Sequence, residues 1–280
     1  MSDTILLVGH GSRNIKGNRE VERFAEQWQK RHPDWNIQLC FIEFADVLLK
    51  EGLDRAAQGA QRVVVVPLVI NAAGHVKMEI PAQLEEARAR HPEVTFLYTS
   101  HLGSVEEVFK AVKRQLHHGM LAMHLPDPRT TGVVLLARGS SDIGANGEVA
   151  KMARWLWEAT PHDLVDIAFT GITYPRLEEM VQRHVKLGMT QIVVVPYYLF
   201  TGTLMERIKN QVARLEKQYP TIAFSLSGYF GFEEEIYDLL DAKVGAALAG
   251  ISQQQLMECD GCKYREFAQE HGHGHHHHHE

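Results

Sequence analysis

The strongest constraint on this chain is that it repeats itself, because adding 128 to a position in the first half finds its counterpart in the second. LLVGHGSRNIKGNREV at residues 6–21 lies over VLLARGSSDIGANGEV at residues 134–149. Gly11 falls on Gly139, Asn18 on Asn146 and Pro33 on Pro161, while Val21, Phe24, Ala25 and Trp28 fall on Val149, Met152, Ala153 and Leu156. Turn residues and apolar spacing are what a shared backbone requires, so two copies of one scaffold are expected. The reactive polar residues behave differently: His10 falls on Arg138, Glu43 on Gly171 and His75 on Thr203. The framework is present twice, and the residues able to bind a metal or move a proton once.

Periodicity gives the class of scaffold. Residues 5–8, 37–41, 63–66 and 94–98 are short, nearly continuous apolar runs, as expected for parallel strands covered on both faces. The second half repeats them at 133–136, 165–169, 192–195 and 222–226. Helical spacing separates the runs. Val21, Phe24, Ala25 and Trp28 recur at i, i+3, i+4 and i+7, and Pro33 stops that helix. Alternating strands and helices predict an α/β protein of two similar doubly wound parallel-sheet lobes, related by a pseudo-twofold internal repeat. The expected division is an N-terminal lobe at 1–120, a linker at 121–131, a degenerate C-terminal lobe at 132–250 and a flexible tail at 251–280. The linker lies within HHGMLAMHLPDPRTTG, residues 117–132, where two prolines break the pattern.

Composition narrows the function classes. With 45% apolar and 23% charged residues, the chain suits an ordinary soluble domain pair with a proper core. A net charge of -6 argues against general nucleic-acid binding. The run at residues 63–70 is too short to cross a bilayer, so no membrane association and a cytoplasmic location are expected. Three cysteines, Cys40 in an expected strand and Cys259 and Cys262 near the end, do not make a secreted disulfide framework.

In open α/β sheets ligands sit outside the carboxyl ends of the strands, where strand order reverses. His10, Glu43 and His75 each follow a different expected strand, so they converge on one cleft. Two imidazoles and a carboxylate with open coordination positions suit a transition metal being exchanged. Glu79, four residues after His75, is a further ligand candidate if that turn is helical, although Pro81 clouds the helix start. The glycines of GHGSR at 9–13 do not make a dinucleotide fingerprint, since position 14 is Asn, and no phosphate-loop motif occurs. They read as a tight strand-to-helix turn in which glycine lets backbone pass close to another element or a ligand. Arg13, Lys16, Arg19 and Lys77 form either a solvated face or contacts to an acidic ligand.

GHGSR, FIE at 41–43 and VVVVPLVINAAGHVKMEIP at 63–81, with a degenerate second copy, resemble the class II, ATP-independent chelatases of modified tetrapyrroles. The similarity is greatest to the long-form CbiX-type sirohydrochlorin cobaltochelatases, and it covers residues 4 to about 245. Short relatives in that family are single-lobe homodimers, and the long form looks like a fused dimer with one working site. The resemblance implies a chelatase fold and insertion of divalent cobalt into sirohydrochlorin for cobalamin biosynthesis. It implies His10 as metal ligand and proton acceptor, His75 as metal ligand, and Glu43 with Ile70, Asn71, Ala72, Ala73 and Gly74 as substrate contacts. Chelation requires neutral imidazole and a nearby carboxylate while two pyrrole protons leave. Metal and proton compete for the same imidazole, so activity is expected to fall in acid.

The tail carries MECDGC at 257–262 and ends in HGHGHHHHHE. A CxxC pair can bind zinc, form a redox disulfide or supply half the ligands of a cluster. Long-form relatives pair a similar MxCxxC with a redox-active [4Fe-4S] cluster, which implies completion across a homodimer or by other ligands. The glycine-interrupted histidines read as a native metal-holding segment. Two rivals remain beside the cobaltochelatase reading: a sirohydrochlorin ferrochelatase, and a non-enzymatic metal-binding or storage protein.

Overall fold

Each copy of the repeat builds one four-stranded parallel sheet. The computed structural model describes residues 2–250; Cys259, Cys262 and the histidine run lie outside the described residues. The first copy runs β1 (Ser2–Gly9), α1 (Ile15–Arg31), β2 (Asn36–Phe41), α2 (Leu49–Ala57), β3 (Ala60–Pro67), a π-helical turn (His75–Glu79), α3 (Ile80–Arg90), β4 (Thr95–Tyr98) and α4 (Glu106–Leu121). The second runs β5 (Thr131–Ala137), α5 (Ile143–Glu158), β6 (Leu164–Phe169), α6 (Leu177–Lys186), β7 (Gln191–Pro196), α7 (Thr203–Gln218), β8 (Ala223–Leu226) and α8 (Glu234–Leu248). Strand orders are β2-β1-β3-β4 and β6-β5-β7-β8. Register repeats with the order, since Ile5 pairs with Ile37 as Val133 pairs with Val165, again 128 apart. All eight expected strands are present, and the chelatase-like two-lobe architecture stands.

Period-two alternation decides which core each strand residue joins. Ile5 and Leu7 enter the large core between the two sheets, while Leu6 and Val8 enter a separate outer core under α2 and α3. None of the four is more than 2% exposed, as a parallel strand covered on both faces requires. Burial of each such side chain contributes about 1.5–3 kcal/mol. Helix α1 starts where the Asn14 side chain accepts a hydrogen bond from the Lys16 amide at 3.0 Å. It ends at Arg31, because His32 must be extended ahead of Pro33. Asp142, 128 residues after Asn14, caps α5 in the same way.

The sequence halves and the packed lobes do not coincide. Helix α4 belongs to the first copy by sequence, yet it packs on β7, β8 and α5; α8 belongs to the second and packs on β3 and β4. Gly119 of α4 lies so close to Val193 of β7 that an added methyl would sit 2.8 Å from Val193 Cγ1. On the other side Phe24 of α1 stacks on Tyr237 of α8 with ring centroids 4.4 Å apart. Trp28 Nε1 donates to Asp241 Oδ1 at 2.8 Å. A cut at residue 120 would therefore separate each sheet from the helix that closes it. The irregular connection is also shorter than the stretch 117–132, because α4 runs to Leu121 and β5 begins at Thr131. Among the described residues no helix is long and apolar enough to cross a membrane.

Candidate functional site

The β1–α1 turn carries His10 at the carboxyl end of β1, beside the point where the strand order reverses between β1 and β3. Its shape depends on Gly11, which has φ +87° and leaves its α-carbon so near the chain beyond β2 that a Cβ would lie 1.7 Å from Glu43 O. No side chain fits there. Of the two roles foreseen for this glycine, close approach to another element is the one realised, and it brings Glu43 to His10. The Glu43 amide donates to His10 O at 3.1 Å. The side chains meet too, with His10 Nδ1 at 3.5 Å from Glu43 Oε1 and at 3.1 Å from Gly11 O. A proton on Nδ1 serves both acceptors, and the buried Nε2 then carries the ring's lone pair.

A cavity of about 660 Å³ opens between the lobes, within the usual range of small-molecule sites. His10 lines it from the first lobe, with Ile70, Asn71, Ala73 and Gly74 from the loop after β3. Tyr197, Leu199 and Phe200 answer from the second lobe. Ala72 of the same loop is buried at 8% exposure rather than among the lining residues. Glu43 reaches the cavity through His10. His75 opens the π-helical turn between the lining residues Gly74 and Val76; its side chain lies outside the described atoms. Glu79 closes that turn and lines the cavity. Pro81 is the second residue of α3 and the helix runs through it directly from the π-helical turn. Arg13 stands outside the lining, its guanidinium 4.9 Å from the centre of the Phe44 ring.

Lys77 is not a solvated charge. It crosses the lobe boundary to Asp142 Oδ2 at 2.5 Å, with side chains 19% and 8% exposed. Burial alone would raise the Asp142 carboxyl, but the Lys77 hydrogen bond and the amides of Gly144 and Ala145 hold it below its ordinary range. Asn71 Nδ2 donates to Ala145 O nearby at 3.3 Å. Across the molecule Glu20 Oε2 accepts from the Thr201 amide at 2.7 Å, and its other oxygen accepts from the Tyr229 hydroxyl. Glu148, the counterpart of Glu20, accepts from the Ser104 amide at 3.3 Å. These carboxylates fix the spacing of the cavity walls. The repeat carried a signal for them, since Glu20 and Glu148 are kept at the 128 offset. Arg138, which in the repeat marks only the loss of a histidine, lines the cavity at the carboxyl end of β5.

Cys40 is excluded from this chemistry. It is buried against Gly52 of α2, and burial pushes its thiol up to about 12, so no thiolate forms near neutral pH.

Comparison with known proteins agrees with the geometry. The CbiX family profile matches the chain twice, at residues 4–118 and 132–247, which are the two copies of the repeat. A sirohydrochlorin cobaltochelatase of Priestia megaterium is 38% identical over 96% of this chain and 86% of its own length. A sirohydrochlorin ferrochelatase of Bacillus subtilis is 33% identical over 96% of this chain and all of its own. Among solved structures, SirB from Bacillus subtilis with Fe3+ superposes with a TM-score of 0.78 at 32% identity, covering 92% of this chain and 100% of SirB. A SirB complex with cobalt from Bacillus subtilis subspecies spizizenii gives 0.75 at 29% identity with the same coverage. With two profile matches spanning both lobes and whole-length relatives of this kind, the chain belongs to the CbiX family of class II chelatases.

Proposed function

We propose that this protein inserts divalent cobalt into sirohydrochlorin without nucleotide, as a cytoplasmic enzyme of cobalamin biosynthesis. The observation that carries the reading is the His10–Glu43 pair at the edge of an apolar-walled cavity between two CbiX lobes. In the overall reaction the macrocycle loses two pyrrole protons and gains one divalent metal. His10 Nε2 and His75 hold the incoming metal, and Glu79 supplies a further oxygen ligand. His10, oriented through Nδ1 by Glu43, also accepts a leaving proton. Glu43 and the loop residues Ile70, Asn71, Ala72, Ala73 and Gly74 seat the macrocycle, and Arg13 at the rim meets its carboxylates. No phosphate-binding motif is needed, because the metal is exchanged between ligand sets rather than driven by hydrolysis.

The 33% identity to a ferrochelatase along its full length supports iron insertion as the second reading. Imidazole and carboxylate ligands suit both metals. A storage protein is the poorer fit, because it gives no use to an apolar wall large enough for a planar ligand. Absorbance-monitored insertion into sirohydrochlorin, with cobalt, iron and nickel compared in the absence of nucleotide, decides among the three. Cobalt turnover above the other metals is expected. No change in the macrocycle spectrum with any of them would refute the chelatase reading.

The tail adds a separate element to the proposal. Cys259 and Cys262 supply two thiolates, and Cys40 is locked in the core, so a [4Fe-4S] cluster with four thiolates calls for two chains. A brown colour in anaerobically purified protein, lost in Cys259→Ala, together with a dimeric mass, is the expected result. The histidine run is proposed to hold metal near the cavity.

A further inference from the structure

The second lobe retains one charged group at the position where the first has His10. Arg138 ends β5 as His10 ends β1, and the two residues line one cavity from opposite lobes. The Arg138 side chain is exposed, and among the described residues it has no ion pair. Its electrostatic neighbour is the Tyr198 phenol, which hydrogen-bonds Thr170 Oγ1 at 2.9 Å and is neutral near physiological pH. A neutral phenol provides no counter-charge.

The other basic groups near the cleft, Lys77, Arg13 and Arg207, lie outside its lining. Lys77 is held by Asp142, and Arg13 lies over the Phe44 ring outside the lining. Among the described lining residues Arg138 therefore supplies the fixed positive charge, while Glu79 and the His10–Glu43 pair occupy the other wall. Sirohydrochlorin bears carboxylates around its rim and its exchangeable protons at its centre. A macrocycle with its centre at His10 and lying across the cavity extends its rim toward the second lobe. A guanidinium offers a planar fork matched to a carboxylate, and beside an apolar wall such a pair is strengthened.

We propose that Arg138 anchors a rim carboxylate of the macrocycle, so that the degenerate lobe has exchanged a metal-binding position for a substrate-binding one. The inference rests on the sirohydrochlorin reading above. It makes the degenerate lobe a determinant of substrate recognition, and it accounts for an arginine, rather than a small neutral residue, where the histidine was lost.

The test uses the full chain as wild type, Arg138→Gln and Arg138→Lys, with sirohydrochlorin varied at saturating cobalt and at two ionic strengths. Arg138→Gln is expected to raise the KM for sirohydrochlorin roughly tenfold or more, as loss of a charge-assisted hydrogen bond implies, while kcat and the KM for cobalt stay unchanged. Arg138→Lys should fall between. The rise of the wild-type KM with salt should flatten in Arg138→Gln, because the screened charge pair is gone. An unchanged KM in Arg138→Gln, or a loss confined to kcat, would overturn the anchor while leaving the chelatase reading in place. Spectrophotometric titration of sirohydrochlorin into both proteins without metal reads the anchor independently of turnover. Wild-type binding without insertion would sink the chelatase reading alone, and absence of wild-type binding would sink both.

Discussion

Under the proposed function His10 meets two demands that pull against each other, since a metal ligand needs a lone pair and a proton acceptor needs to be able to give that ligation up. The Nδ1 contacts to Glu43 and Gly11 O set the ring's orientation, and the proposal gives this work to Nε2. His10→Ala and His75→Ala are each expected to lower insertion at least about a hundredfold with circular dichroism unchanged, the scale of a lost acid–base group. Wild-type-like turnover in either variant would remove the mechanism. Glu43→Gln keeps the shape and weakens the orienting contact, so it should lower kcat more than it changes the KM for metal. Asp142 allows a sharper test of linkage. Its folded-state carboxyl is depressed, so the stability it contributes is present above the ordinary value of about 4 and is lost as pH falls through the lower folded value. Asp142→Asn preserves a helix-capping side chain and removes the charge. It should cost about 1–2 kcal/mol in denaturant unfolding at pH 7, and that cost should shrink as pH falls through the lowered folded value.

At the scale of elements, what distinguishes the protein is that α4 and α8 each close the other copy's lobe. Gly119 marks how tightly α4 lies on β7, with Val193 occupying the place a methyl would take. Gly119→Ala gains helix propensity but must push the helix off the sheet. The overpacking term of about 1–3 kcal/mol is the larger, so a lower melting temperature is expected. A raised one would mean that α4 docks loosely. The periodic elements were legible in the sequence: eight apolar runs became eight strands, and the helix read from Val21, Phe24, Ala25 and Trp28 became α1. The π-helical turn at His75–Glu79 was not, because an i+5 turn leaves no periodic signature in five residues.

For the whole molecule, the exchanged helices make two lobes into one folding unit. A fragment of residues 1–120 would carry α4 without the sheet it covers and would lack α8 over β3 and β4. Expressed alone, that fragment and its complement 121–250 are expected to be insoluble or unfolded, whereas co-expression should restore a folded pair. Independent cooperative unfolding of either fragment would contradict the exchange. The tail lies outside the described residues. Deleting residues 252–280 should leave insertion largely intact at saturating cobalt and lower it when cobalt is scarce, as a local metal reservoir would require. Complete loss at saturating cobalt would place part of the working site in the tail.

The duplication, the strands and helices, and the placement of His10, Glu43 and His75 after three strand ends can all be read from the order of residues. Those follow from local rules: apolar period, turn residues and proline's restricted backbone act within a few residues of where they are written. That α4 and α8 change places, that Lys77 reaches Asp142, and that Arg138 faces the same cavity as His10 emerge only once the chain is packed. The physical reason lies in the repeat. Two copies of one scaffold present two sheets with equivalent apolar faces, and a helix's spacing declares that it has a face to bury without declaring which of two like surfaces will cover it.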